Sequence, residues 1–186
     1  MNIFVLDRDP TVAAAMHCDK HVIKMSIEYA QILSTVHHRW STPQTSMLYK
    51  ATHKNHPATR WAGDHLNHYD WLYALACATW DEYTYRYGKV HASSRLRDAL
   101  SQRPVIIHPW VTHDQSTYSV SVPLSVPPPQ CMPSIFKTHG GTWEETIASY
   151  HRYYREVKYS FASWKIRPIP EWFAENIDEA GYGHGI

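Results

Sequence analysis

Cysteine is scarce in this chain. Cys18, Cys77 and Cys131 are an odd number, far apart and never in a CxxC pair, which excludes a disulfide framework. Charge of one sign is lacking as well. The formal net charge is +1, so any affinity for a polyanion must come from a local basic patch rather than from the whole surface. No stretch reaches the ~18 consecutive apolar residues of a membrane span, and the N-terminus carries no signal-peptide pattern. The expectation is therefore a cytoplasmic protein with no membrane partner. Glycine is sparse, at seven residues, and no internal repeat is visible in the 186 residues, a length that suits one domain (1–186) with a real core.

What is plentiful is histidine, at 14 residues, and aromatic surface, with 8 Trp and 13 Tyr. Trp and Tyr join an apolar body to a polar handle, which suits cores and also base-stacking sites. The organising stretch is DKHVIKMSIEYAQILSTV, Asp19 to Val36, with His17 just before it. It has neither proline nor glycine and reads as helix. His17, His21, Lys24, Glu28, Gln31 and Thr35 step by +4, +3, +4, +3 and +4. At about 100° per residue they form one polar stripe roughly 80° wide. Most other positions are apolar, including Val22, Ile23, Met25, Ile27, Ile32 and Leu33. A surface helix shows the reverse pattern. Burying a polar group without a partner costs on the order of 2–7 kcal/mol, so the stripe is read as the wall of a cleft. A plain solvent-facing strip is the other reading of the same pattern.

An extended N-terminus (1–9) leads to Asp9-Pro10, which caps and starts a helix expected to run from Pro10 to about His38. A short helical turn is expected at Ser46 to Lys50. Asn55-His56-Pro57 signals a new helix through Gly63, with His56 as the helix-start residue. Asp64 to Tyr87 is the second long helix, and Gly88 stands where a left-handed cap belongs. Ser93 to Gln102 reads as a short surface helix. Residues 105–141 hold the alternating STYSVSV, three consecutive prolines at 127–129 and Gly140-Gly141, so helix is excluded for most of them. They are read as a long loop with a possible small hairpin, or as a lid. Thr142-Trp143-Glu144-Glu145 is a capping box opening a third long helix to about Trp164, and residues 168–186 form an irregular tail. The fold expected is mostly α: three long helices packed around an aromatic core, with a long irregular crossover before the last.

Several chemistries fit these residues. His21, Lys24 and Glu28 on one face can do acid–base work, and a desolvated lysine can act as an imine-forming nucleophile. The plain reading of Lys24–Glu28 is an i,i+4 ion pair worth a few tenths of a kcal/mol. Histidine pairs at helical spacing (His17/His21, His53/His56, His65/His68, with Asp70 nearby) can chelate zinc or iron. No HExxH, ExxH or finger spacing accompanies them, so no metal and no cofactor is assigned. Candidate phosphate-contacting residues are Lys54, Arg60, Arg86, Lys89, Arg152, Arg155, Lys158, Lys165 and Arg167, with His17 and Gln31 from the stripe. The later ones interleave with Tyr150, Tyr153, Tyr154, Tyr159 and Trp164, the cation-and-ring mixture of a nucleic-acid groove. A solvated helix face explains them equally well.

The segment KHVIKMSIEYAQIL resembles the active-site helix of the phage pyrimidine-dimer DNA glycosylases, also called endonuclease V, in which a histidine precedes the catalytic glutamate by seven residues. His21 and Glu28 fall on those two positions. HLNHYDWLYALACATWDEYTYRYGK is similar to that family's next long helix, and SYHRYYREVKYS with SWKIRPIPEW to its aromatic C-terminal region. The resemblance implies a small all-α DNA glycosylase/AP lyase, monomeric, acting on a damaged or modified pyrimidine in duplex DNA within the phage-infected host. Members attack the sugar C1′ with an N-terminal α-amine, form an imine and cleave by β-elimination, the glutamate moving protons. They flip bases at the lesion. Three features depart from the family. Asn2 is too large for removal of Met1, so the family's threonine amine is absent. Ile27 and Gln31 stand where arginines flank the family's glutamate, and the run to His21 is longer. The nucleophile is then the Met1 amine or Lys24. A metal-dependent enzyme built on the histidine pairs, and a non-catalytic nucleic-acid-binding module, are the competing expectations.

Overall fold

A computed structural model describes residues 1–105 and 124–174. The described chain is mostly helical: α1 (Pro10–Met16), α2 (Asp19–Arg39), α3 (Pro57–Asp64), α4 (Leu66–Tyr87), α5 (Arg97–Ser101) and α6 (Trp143–Tyr153). Short 3-10 turns lie at Pro43–Met47, Ala92–Leu96 and Ser134–Phe136. No helix among the described residues is long and apolar enough to cross a membrane. The alternating STYSVSV segment with the rest of 106–123, about half of the expected lid, and the end of the tail lie outside the described residues.

Local signals set the starts of α1, α3 and α6. The Asp9 carboxylate accepts from the Thr11 and Val12 amides with Pro10 in the first turn, and the Thr142–Glu145 capping box is complete. The His56 ring accepts from the Ala58 amide ahead of α3, and Gly88 ends α4 at φ 62°. α2 and α4 pack along one another, with α1 and α3 against them. Tyr29, Tyr69, Trp80, Tyr150 and Tyr154 are all but inaccessible in the core between the elements.

The expected single helix from Pro10 is in fact two, broken at His17-Cys18 without proline or glycine. The cause is tertiary. The last carbonyls of a helix need partners, and here two remote side chains and the ring of His17 supply them. Arg86 donates to Ala15 O at 2.9 Å, Trp164 Nε1 to Met16 O at 2.9 Å, and His17 Nδ1 to Ala13 O at 2.6 Å. The third long helix also ends earlier than Trp164. After Tyr153 it widens into a π-turn, Tyr154–Lys158, and stops. Beyond it the Asp19 amide donates to Ser163 O, while the Asp19 carboxylate accepts from the Ser163 hydroxyl and the Lys165 amide. These bonds replace the ones that a longer helix would have made.

Arg86 ties the two corrections together. Its side chain is fully buried and reaches Glu82 at 2.6 Å and Asp19 at 2.9 Å, while Arg167 bonds the same Glu82 at 2.8 Å. Removing one member of such a cluster strands the other charges. Arg86→Met is expected to cost about 3–5 kcal/mol in a denaturant melt. A loss under about 1 kcal/mol would mean the cluster is not holding α1, α2 and α4 together.

Candidate active site

The N-terminal segment runs through the core without regular secondary structure. Ile3, Val5 and Leu6 are fully buried and Phe4 nearly so. Side chains take the place of a strand partner. The Phe4 amide donates to Tyr29 Oη at 3.3 Å, the Tyr29 hydroxyl in turn bonds His17 Nε2 at 2.7 Å, and His151 Nε2 donates to Leu6 O at 2.8 Å. His21 stacks on the Phe4 ring at 4.3 Å and shares a hydrogen bond with the Tyr154 hydroxyl. Burial pushes His17 down to about 4 and His21 down to about 3, so both rings are neutral supports.

This scaffolding delivers the chain start to Glu28. The Asn2 amide donates to Glu28 Oε2 at 3.0 Å, and the Met1 α-amine lies 3.8 Å from the same oxygen. On the other side Lys24 Nζ stands 3.3 Å from Glu28 Oε1. The carboxylate is only 14 % exposed, whereas the lysine is 68 % exposed. Asn2 is clamped from a distant part of the chain. Its Nδ2 donates to Cys131 O at 3.1 Å, and its Oδ1 accepts from the Tyr150 hydroxyl at 2.7 Å.

Met1 belongs both to this charge cluster and to the wall of an open cleft of about 750 Å³, shared with His56, the Pro127–Pro129 run, Lys137 and Tyr153. That volume lies within the ~300–1,000 Å³ of small-ligand pockets. His56 is lowered from the usual histidine range by burial first, then by the Met1 amine and His53.

The polar stripe is therefore split. His17, His21 and Thr35 are buried and bonded inside the protein, while Lys24, Glu28 and Gln31 are reachable from outside. Ile23 and Ile27, expected inside, are 43 % and 41 % exposed beside them. His21 and Glu28 share no hydrogen bond among the described residues; His21 serves the Phe4 segment instead. The basic candidates scatter. Arg86 and Arg167 are held by Glu82, and Arg155 donates to Trp172 O. Arg152 pairs with Glu156, and Lys165 lies over Tyr87. Lys54, Arg60 and Lys89 are exposed. Lys158 bonds the Tyr153 hydroxyl at 3.2 Å, and Lys20 lies over Phe161, so both join Lys24 on the side of the protein around His21. His17, fully buried, and Arg86 are thus corrected from nucleic-acid contacts to parts of the framework.

Among the described residues no three His, Cys, Asp or Glu side chains are grouped to hold a metal ion. The histidine pairs are committed elsewhere: His53 bonds the Thr52 hydroxyl, His56 caps α3, and His68 bonds Trp61 O while stacking on its ring. Sequence reasoning missed Asn2 and Lys137 as site components, placed Tyr150 only among the rings of a nucleic-acid groove, and placed the proline run only in a loop or lid. Nothing local marks them, since Asn2 and Cys131 are 129 residues apart. The chain matches no protein-family profile, no curated protein and no solved structure.

Proposed function

We propose that the protein is a DNA glycosylase/AP lyase acting on a damaged or modified pyrimidine through an imine on the Met1 α-amine, with Glu28 moving the protons. One observation carries this reading: a largely buried carboxylate is held by long-range bonds beside the α-amine of Met1, a residue that lines a cleft. Of the two amines at Glu28, Met1 is favoured over Lys24. α-Amines as a class lose their proton at lower pH than lysine side chains do, and Met1 lines the cleft.

The free amine attacks the sugar C1′, the C1′–base bond breaks with its electron pair on the base, and Glu28 takes the proton that the amine sheds. The amine lone pair then expels O4′, which accepts that proton back from Glu28, leaving an iminium ion. Glu28, again a carboxylate, removes a C2′ proton, and the electron pair forms the C2′–C3′ double bond as the 3′ phosphate departs. Water hydrolyses the imine and frees the amine. Lys20, Lys24 and Lys158 provide cations for the DNA backbone, and the exposed Ile23 and Ile27 an apolar face beside them. The reading carries with it the partner and setting that the family resemblance implies, duplex DNA in a phage-infected cell and a monomeric enzyme.

Borohydride reduction in the presence of duplexes carrying an abasic site or a UV dimer tests it. A covalent adduct mapping to the Met1 peptide is expected. An adduct on Lys24 would move the nucleophile one helical turn away, and no adduct with either duplex would sink the imine mechanism.

A further inference from the structure

His56 lines the same cleft as Met1, and the steps above leave its chemistry unused. Its Nδ1 accepts from the Ala58 amide at 3.2 Å. A ring nitrogen that accepts carries no proton, so the neutral ring bears its hydrogen on Nε2. The positive end of α3 lies against the ring and opposes a second proton, as do burial and the Met1 amine. Nε2 has no hydrogen-bond partner among the described residues, and the residue lines the same cleft as Met1. The walls also include the prolines at 127–129 and the Tyr153 ring, faces of the kind on which a planar heterocycle rests, with Gln130 and Lys137 among the polar ones.

We propose that this cleft seats the pyrimidine as it is displaced, and that His56 Nε2–H is the hydrogen-bond donor that receives its charge. The inference rests on the amine–imine reading and deepens it. When the Met1 nitrogen bonds to C1′, the C1′–N1 bond breaks and its electron pair spreads from N1 onto the exocyclic oxygens of the base. A neutral N–H aimed at those oxygens stabilises them without giving up its proton, and without adding a cation beside the attacking amine. Neutral imidazole held at a helix N-terminus is suited to this electrophilic role. The amine proton goes to Glu28, and the departed base takes its own proton from water.

His56→Asn separates the two jobs of this side chain. Asparagine is among the best N-cap residues, so α3 stays capped while the Nε2–H is lost. Two substrate types are compared under single turnover: duplexes carrying a cyclobutane dimer or an oxidised pyrimidine, and a duplex with a preformed abasic site, from which no base has to leave. The expected result is breakage of the base–sugar bond slowed by about 100-fold or more, the scale of losing one preorganised donor. Trapping at the abasic site should stay within about twofold of wild type, with the melting temperature unchanged within a few degrees. Ring 15N shifts of the wild type should show the Nε2–H tautomer.

Base release at the wild-type rate in His56→Asn would overturn the assignment, and so would an equal loss on both substrate types or an Nδ1–H tautomer. A wild-type protein that traps the abasic site but releases no base from any duplex would remove the base subsite while leaving the imine reading in place. A wild-type protein that traps nothing would remove the imine reading itself, before any variant is examined.

Discussion

Glu28→Gln is expected to lower single-turnover strand cleavage by about 1,000-fold or more, while DNA binding and melting temperature stay close to wild type. The substitution keeps shape and an acceptor oxygen, so the Asn2 amide retains its partner at the chain start. What disappears is basicity. The amide cannot take the proton shed by the attacking amine, return one to O4′ or remove the C2′ proton, and general acid–base steps are each worth about 10²–10⁴. The lost ion pair with Lys24 matters little to folding. A pair with one partner this exposed contributes between nothing and about 1 kcal/mol. Cleavage within tenfold of wild type would remove Glu28 from the mechanism. A loss of activity matched by a fall in melting temperature would show the carboxylate to be an anchor for the N-terminus instead. The place of Glu28 on the stripe was legible from the sequence, because it depends on helical periodicity alone; its catalytic role is what the family resemblance implies.

Much else that is local was legible in the same way. The Asp9-Pro10 start, the His56-Pro57 start, the Thr142 capping box and the Gly88 stop all use groups within four residues of one another, so spacing is enough to find them. The features that spacing misplaced are those decided by remote partners. Nothing between Ala13 and Asp19 announces that Arg86 and Trp164 will take the carbonyls of α1, and so the break at His17-Cys18 is silent. Ile23 and Ile27 are apolar and helical, yet 43 % and 41 % exposed, and nothing in their own spacing says so. Arg86, Arg155 and Arg167 look like phosphate ligands until Glu82, Asp19 and a backbone carbonyl are seen to hold them. Composition placed charge in the tail, but pairing decides which charges are available.

The second large effect is a loss of stability in mild acid. In the folded protein His17 is held at about 4 and His21 at about 3, both chiefly by burial, against an ordinary value near 6.5. Their folded values are depressed, so below pH 6.5 the unfolded chain binds protons that the folded one refuses. Stability is fully present above about pH 6.5 and falls as the pH drops toward 4 and then 3. At pH 5 the two rings together account for roughly 4 kcal/mol, a large part of the ~5–15 kcal/mol of an ordinary domain. The surroundings do not rescue the charged forms. Arg86 opposes protonation of His17 more than Glu82 aids it, and His17, Lys158 and Lys24 oppose that of His21. Glu82 is lowered too, its burial outweighed by the bonds from Arg167 and Arg86. Its contribution is lost only below the ordinary carboxylate range, so the loss from pH 7 to 5 belongs to histidines, and His37 and His151, each lowered to about 4 by burial, add to it. Thermal melts across that interval should show the midpoint falling by ten degrees or more, with a shallower slope for His21→Gln, whose amide takes no proton. A flat profile to pH 5, or an unchanged slope in the variant, would mean that these rings are reachable by protons in the folded state. Because Phe4 is stacked on His21 and bonded through Tyr29 to His17, protonating either ring loosens the segment that carries Met1 to Glu28. Amine chemistry at this site is therefore expected to fail in acid along with the framework that positions it.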